Sequence, residues 1–565
     1  MQLRVYSGCK KGRSFLPFFL RICHHPIFVI KMNEFLSIRR LLTGSLLYLA
    51  LPYEIFMLGY LRWPVAALAS IVLLLGIGFA LWRERTRTSS HIENEKRDRF
   101  VLRWKHAAAV LLTAFFLLVC SGVGGYGFQD GDWHKHNAML SALIRHQWPV
   151  AYSVALTPQN ATAHVPVVYY IAYYLPAALV GKAFGWFWAN QALFLWTYLG
   201  ACLSICWFLA LARQSGIWLF VIFAAFSGLD AVGIILLRRF FLQEPLSIMQ
   251  WVHIERWAGH WEYPAHVTSL FWAPNQGICA WLATGLLLNE FLRAGNAHRQ
   301  IFFLSLTALW SPFVTLGLIP LLAADFFERN SPFSKKIAAY VAPVNLCGLF
   351  ILLLTGVFYL SKFYPSPIPF VPMEQGFIFS SPLFPGLFWH EIALILALFC
   401  LLEYGVYAIL IWRSRLPFRP FERRLFFISI AILSILPFFR YGFWNDLVMR
   451  VSLPALFIIA IFVTRALYAA SVKMPVRILI IIALLLGSLN VAVELKRHIG
   501  GTIAAGKLIN LPEPAMLYDV PNTFFTPSFF TQYIGSADSP FFNYFAKPPQ
   551  PSQETLTTTT TKRKP

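Results

Sequence analysis

The amino-acid sequence predicts an all-α, polytopic membrane bundle. About 11 full transmembrane helices are expected, with two partial elements and amphipathic juxtamembrane helices on the outer face. Three observations carry this. Of the 565 residues, 58% are hydrophobic and only 13% charged, against roughly 25% charged in soluble domains. Apolar runs of about 20 residues recur along the chain, which is the helical signature rather than the alternation of a barrel. Basic residues gather between those runs, at Arg83–Arg99, Arg293–Arg299, Arg329–Lys336, Arg413–Arg424 and Lys473–Arg477, as positive-inside loops do. The net charge of +22 therefore reports topology, and no nucleic-acid partner is expected.

Four regions are expected: a basic cytoplasmic arm over 1–40, a helical hairpin with its cytoplasmic loop over 41–105, the main transmembrane domain over 106–495, and an external tail over 496–565. Met1–Lys31 is basic and part apolar but lacks a small-residue cleavage site, so it reads as an arm and not a signal peptide. Met32 opens a more ordinary membrane-protein start. Leu41–Leu61 and Pro64–Trp82 form the hairpin, and His106–Val123 crosses outward. Pro166–Trp186 is read as lying along or dipping into the outer surface, because a full crossing would put the later basic clusters on the wrong side.

Trp188–Leu211 then runs inward, Ile217–Leu236 outward and Phe271–Phe291 inward. Ile301–Phe327 begins and ends beside basic clusters, and Ser311-Pro312 at its centre predicts two half-helices. The remaining crossings are Ile337–Leu360, Glu391–Trp412, Leu425–Phe439, Val451–Leu467 and Ile478–Val493. The tail is aromatic and Pro-rich and ends in a threonine-lysine stretch expected to be disordered. The eight cysteines show no spacing of a disulfide framework or zinc site and read as packing residues.

The most informative stretch is Phe128-Gln-Asp-Gly-Asp-Trp-His-Lys-His136, at the mouth of a membrane helix. A carboxylate so close to hydrocarbon is costly, which makes Asp130 and Asp132 functional candidates. Asp132–Gln147 reads as an interfacial helix with Trp133, Leu140, Leu143 and Ile144 near one side. His134, Lys135, Ser141 and Arg145 fall on another side, with His136 among the candidate binding residues. Asp132 at its start is equally readable as a plain N-cap.

A second loop carries His253-Ile-Glu255-Arg-Trp257-Ala-Gly-His260-Trp-Glu262, with His266 behind it. Glu255 and His260 suit sugar or phosphate recognition. No cofactor is demanded by the pattern; a divalent cation stays open, as does an ordinary surface helix, and the spacing fits no metal signature. Asn275 and Gln276 form an amide pair at a helix end, and Arg440, Asn445 and Arg450 lie at another with Asp446. The arginine fork suits phosphate; Arg450 and Asp446, four apart, are also placed to pair with each other. All of these clusters fall on one face of the membrane in the expected topology. A cavity there, with carboxylates and arginines, suits a substrate that is part lipid and part phosphate.

These residues resemble the GT-C superfamily of multi-pass glycosyltransferases, which includes the aminoarabinose transferases of lipid A and the protein O-mannosyltransferases. The resemblance rests on Asp130-Gly-Asp132 after a membrane helix, the helix to His146, Trp148-Pro149, and His164-Val-Pro166-Val-Val-Tyr169-Tyr170. It is strongest over Gly122–Arg213 and looser through Asn275 and Arg450. Trp133 stands where the family has a second acid, and His164 where it has a lysine.

The resemblance implies that 106–495 is a catalytic domain moving a sugar from a polyprenyl-phosphate donor to a lipid or glycan acceptor of the cell envelope. Asp132 would be the general base, with Asp130 beside it. It also implies a bacterial inner (plasma) membrane with the active site facing the periplasm. A lipid-linked glycan transporter, or flippase, is the alternative from another class, and a glycan polymerase or ligase a third. Asn160-Ala-Thr162 forms a glycosylation sequon that matters only in a eukaryotic lumen.

Overall fold

The structure, a computed structural model, describes residues 36–90, 101–102, 104–155, 162–214, 216–241, 253–294, 298–328, 332–366, 375–380, 387–442, 444–511, 531–549 and 555–557. Nearly all of the basic arm, the cluster over 91–99, Asn160 of the sequon and the tail end from 558 lie outside the described residues.

The chain is mostly helical. Among the described residues, seven helical segments are long and apolar enough to cross a membrane. They are Ile38–Tyr60, Trp63–Trp82, Trp186–Ala212, Trp218–Phe241, Pro343–Phe363, Trp389–Arg413 and Met474–Ala505. Shorter apolar helices, Lys105–Val119, Pro312–Phe327 and Leu453–Tyr468, lie among them. This is a multi-pass membrane protein.

In chain order the first six helices are α1 (Ile38–Tyr60), α2 (Trp63–Ser90), α3 (Trp104–Val119), α4 (Gly131–Arg145), α5 (Leu175–Phe184) and α6 (Trp186–Ala212). Ser37 opens α1 by accepting from the Arg40 amide at 3.4 Å, which satisfies one orphan donor of the first turn. The element expected to lie on the outer surface contains α5. Its 10 residues are about 15 Å long, half the hydrocarbon thickness.

Next come α7 (Ile217–Ala225), α8 (Asp230–Leu236), α9 (His266–Trp272), α10 (Pro274–Ala294), α11 (Gln300–Ser305) and α12 (Pro312–Glu328). One long apolar segment is interrupted between α7 and α8 by Phe226–Leu229. Pro312 begins α12, and the turn between α11 and α12 is tied to α1. Tyr53 donates its hydroxyl to the Ser305 carbonyl at 2.6 Å and accepts from the Leu309 amide at 2.9 Å. Trp310 donates to the Leu49 carbonyl at 3.1 Å. Irregular backbone at membrane depth persists only where protein satisfies it in this way.

The remaining helices are α13 (Phe333–Tyr340), α14 (Pro343–Leu360), α15 (Trp389–Cys400), α16 (Val406–Arg413), α17 (Pro420–Ile435), α18 (Asp446–Val451), α19 (Leu453–Tyr468) and α20 (Met474–Ala505). A π-turn over Leu401–Gly405 joins α15 to α16. Its Leu402 carbonyl accepts from the Leu229 amide at 3.1 Å, so the two irregular segments meet.

One expectation is corrected. The last membrane helix does not stop at Val493 but continues to Ala505, where Gly506 adopts φ 63° and closes it. Glu494, Arg497 and His498 keep the helix going past the end of the apolar run, because spacings of three and four set them on one face. Part of the tail packs on the bundle. Tyr533, Ile534, Phe541, Phe542 and Ala546 are buried, and the Lys547 amide donates to the Tyr60 carbonyl at 2.8 Å. Thr555–Thr557 forms a parallel strand on Ser153–Ala155, and the strand Ala151–Ala155 also pairs with Thr162–Pro166 in antiparallel register. Small sheets thus accompany the helices, where an all-α chain was expected.

Candidate functional site

The site begins at the N-terminus of α4. Asp130, not Asp132, is the N-cap: its carboxylate accepts from the Asp132 amide at 3.0 Å. Asp132 lies in the first helical turn with its side chain 31% exposed. The cap reading of Asp132 is therefore replaced; its carboxylate pairs with Lys135 at 3.4 Å instead. Asp130→Ala is expected to cost about 0.5–2 kcal/mol of stability through loss of the cap, while Asp130→Asn keeps most of it. Thermal unfolding in detergent, with equal loss in both variants as the contrary result, checks this.

The α4 helix is largely covered by the rest of the protein. Trp133 and the whole stretch His136–Leu143 are buried, Ser141 included. The α4 helix is fastened to the end of α9, with Trp133 donating to the Phe271 carbonyl at 3.0 Å. His136 is held between the Tyr174 hydroxyl at 2.5 Å and the Trp272 carbonyl at 2.9 Å. Burial, with Lys135 next, lowers His136 to about 4, so it is a neutral, structural imidazole at neutral pH.

Behind the acid pair stands the last third of α20. The second oxygen of Asp130 lies 3.7 Å from His498 Nε2 and 3.8 Å from Arg497 Nη2. Arg497 in turn pairs with Glu494 at 2.7 Å and sits over the Trp272 ring at 4.7 Å. Glu494 also binds His253 Nδ1 at 2.7 Å. The other ring nitrogen of His253 faces Glu262 at 3.5 Å, and Arg256 Nε meets the opposite Glu262 oxygen at 3.2 Å. One continuous polar layer runs from Asp130 through α20 to the loop before α9.

Arg450 borders the same layer. Its Nε is 3.8 Å from Asp446, a loose version of the expected helical pair. Burial acts to raise Asp132, but the charges of Lys135 first and of Arg450 outweigh it, and the carboxyl sits below its ordinary value. Asp130 is raised well above that value, by burial first and the Asp132 charge second. Two adjacent carboxyls are thus pushed apart, Asp132 downward and Asp130 upward from the ordinary value. Such divergence is how paired carboxyls acquire separate acid and base roles. Burial also raises Glu255, and next to it the charge of Glu262.

The other expected residues are placed variously. His134 is exposed on α4. His260 is half-buried, its ring 6.5 Å from that of Trp444. Asn275 is buried with no hydrogen-bond partner for its amide among the described residues. Gln276 is turned to Ser311, whose hydroxyl donates to it at 3.1 Å. Arg440 is buried in the strand Phe439–Tyr441. Asn445 is a loop-former: at φ 59° it accepts from the Tyr441 amide at 3.2 Å.

The structure therefore brings Asp130, Asp132, Glu255 and Arg450 into one polar region, and gives His136, Gln276 and Asn445 structural partners. Sequence reasoning missed Glu494, Arg497 and His498 altogether. Their signal was present, in the spacing of a carboxylate and two bases at i, i+3 and i+4. An open cavity of about 1140 Å³ lies elsewhere, among Arg413, Arg415, Arg423 and Lys473, and none of the acid pair lines it. Comparison with family models, curated proteins and solved structures finds no match to this chain.

Proposed function

We propose that this chain is a membrane glycosyltransferase of the GT-C kind, moving a sugar from a polyprenyl-phosphate donor to a cell-envelope acceptor. The observation that supports it best is the ionised Asp132 beside Lys135 and Arg450, at the start of a buried helix. In this reading the helices make about 11 crossings, and the acid pair faces the periplasm of a bacterial inner membrane.

Asp132 takes the proton of the acceptor hydroxyl as its oxygen attacks the sugar's anomeric carbon. The bond from that carbon to the phosphate oxygen breaks, and polyprenyl phosphate leaves with the electron pair. Direct displacement inverts the anomeric centre. Because the phosphate already leaves well, no strong acid is needed; a poor hydroxyl nucleophile gains more from a base. Arg450 and Arg440 hold the phosphate as its charge grows.

The test is a mass profile of envelope glycolipids and glycans from a deletion strain. Loss of one sugar residue's mass, restored by the wild-type gene, is expected. An unchanged profile would remove the proposal, and loss of a whole glycan chain would move it to a polymerase or ligase.

A second reading, a lipid-linked glycan transporter, is favoured by Asp230 and Glu403. Both are buried midway along long apolar segments, at the break between α7 and α8 and in the π-turn between α15 and α16. Carboxylates on interrupted helices at mid-membrane are a transporter feature. A side chain at Gly228 would strike Glu403, its Cβ only 2.1 Å from a carboxylate oxygen, so the two segments are closely fitted. Substrate uptake into proteoliposomes without any covalent product would select this reading.

A further inference from the structure

We propose that His253, Glu255 and Glu262 form a binding site for one divalent transition-metal ion, of the zinc or manganese type. One ligand atom from each of the three lies within 4.8 Å of the other two. Proximity alone would not carry this. What does is that each of these side chains is held by an outer partner, and that Glu255 keeps a buried oxygen with no hydrogen-bond partner among the described residues.

His253 binds Glu494 through Nδ1 at 2.7 Å. A carboxylate on one ring nitrogen fixes the tautomer and turns the lone pair of the other outward to a metal, the usual outer-shell arrangement of metal-binding histidines. That other nitrogen, Nε2, is 3.5 Å from Glu262 Oε1. Glu262 is steadied on its far oxygen by Arg256 at 3.2 Å. Glu255 is fully buried, and its Oε1 accepts from the Ala265 amide at 2.9 Å, the Thr268 hydroxyl at 2.6 Å and the Asn490 amide at 2.5 Å. Its Oε2 is buried with no hydrogen-bond partner among the described residues. A buried carboxylate oxygen left so is costly unless a cation or proton occupies the space beside it.

The dimensions fit. Zinc bonds of about 2.0–2.2 Å to nitrogen and oxygen set tetrahedral ligand atoms about 3.4 Å apart. The 3.5 Å between His253 and Glu262 is already there, and the widest separation, up to 4.8 Å, closes with a combined side-chain shift of about 1.4 Å. One imidazole with two carboxylates favours zinc or manganese over magnesium or calcium, which prefer all-oxygen shells. Three protein ligands also leave a fourth position for water or a substrate oxygen. The site rests on its own geometry and not on the transfer reaction, and its test needs no substrate.

The full chain, purified in detergent with any polyhistidine tag removed and stripped with chelator, is titrated with zinc chloride and with manganese chloride. Binding is read by calorimetry, and metal content by elemental analysis after gel filtration. One equivalent per chain with micromolar or tighter affinity is expected. Glu255→Gln and Glu262→Gln each weaken it at least tenfold, and Glu494→Gln, which acts through His253, weakens it about 10- to 100-fold. Wild-type protein that retains no stoichiometric metal overturns the site whatever the variants do. So does an affinity unchanged in both Glu255→Gln and Glu262→Gln, provided they elute as wild type does. In either case His253 is a protonated bridge between Glu262 and Glu494 and nothing more.

Discussion

Asp132→Asn is expected to lower sugar transfer by a factor of roughly 10² to 10⁴, the range a positioned base contributes, while the protein still inserts and assembles. The substitution is nearly isosteric, and the cap of α4 is made by Asp130, so the helix has no reason to lose its start. Radiolabelled transfer in membranes from a complemented deletion strain, with protein level followed in parallel, measures it. Full activity in Asp132→Asn would reduce the residue to part of a charged helix end, and the transporter reading would then lead. Asp130→Asn separates the two acids. Asp130 caps α4, a role an asparagine oxygen also fills, so Asp130→Asn is expected to cost transfer far less.

The largest effect on stability is expected at a distant ion pair. Arg299 and Glu290 are both fully buried, joined through Arg299 Nη2 and again through Nε at 3.0 Å. Arg299 Nη1 donates as well to the Ala80 carbonyl at 3.1 Å, which ties α10 and the chain before α11 to α2. Removing one member leaves a buried charge uncompensated, at a cost of about 3–5 kcal/mol, whereas replacing the pair with apolar side chains is often neutral. Arg299→Ala should therefore lower the thermal midpoint sharply, and Glu290→Gln combined with Arg299→Met should recover much of the loss. A double variant no better than Arg299→Ala would mean that packing around Arg299, not charge, sets the cost.

The helical framework was legible because its signal is local. The helix expected at Asp132–Gln147 forms over Gly131–Arg145, and the Ser311-Pro312 break is where α12 begins. In the site, Asp130-Gly-Asp132 stood out because two carboxylates at a membrane helix end are conspicuous in any context. Which of them caps the helix was not legible, since either could supply the oxygen. The tail is expected from Lys496 because hydropathy falls there, and hydropathy does not report that the helix face carrying Glu494, Arg497 and His498 is covered.

By itself, the sequence determined that this chain is a multi-pass, mostly helical membrane protein with acidic residues gathered at a helix mouth. Those properties belong to neighbouring residues: an apolar run, a proline in its middle, a carboxylate at its end. Only the tertiary structure decided that Asp130 meets Arg497 and His498, and that His253 meets Glu494 across 241 residues. Such pairs carry no local period. They exist because the packed bundle excludes water from both partners at once, and each polar group then needs the other.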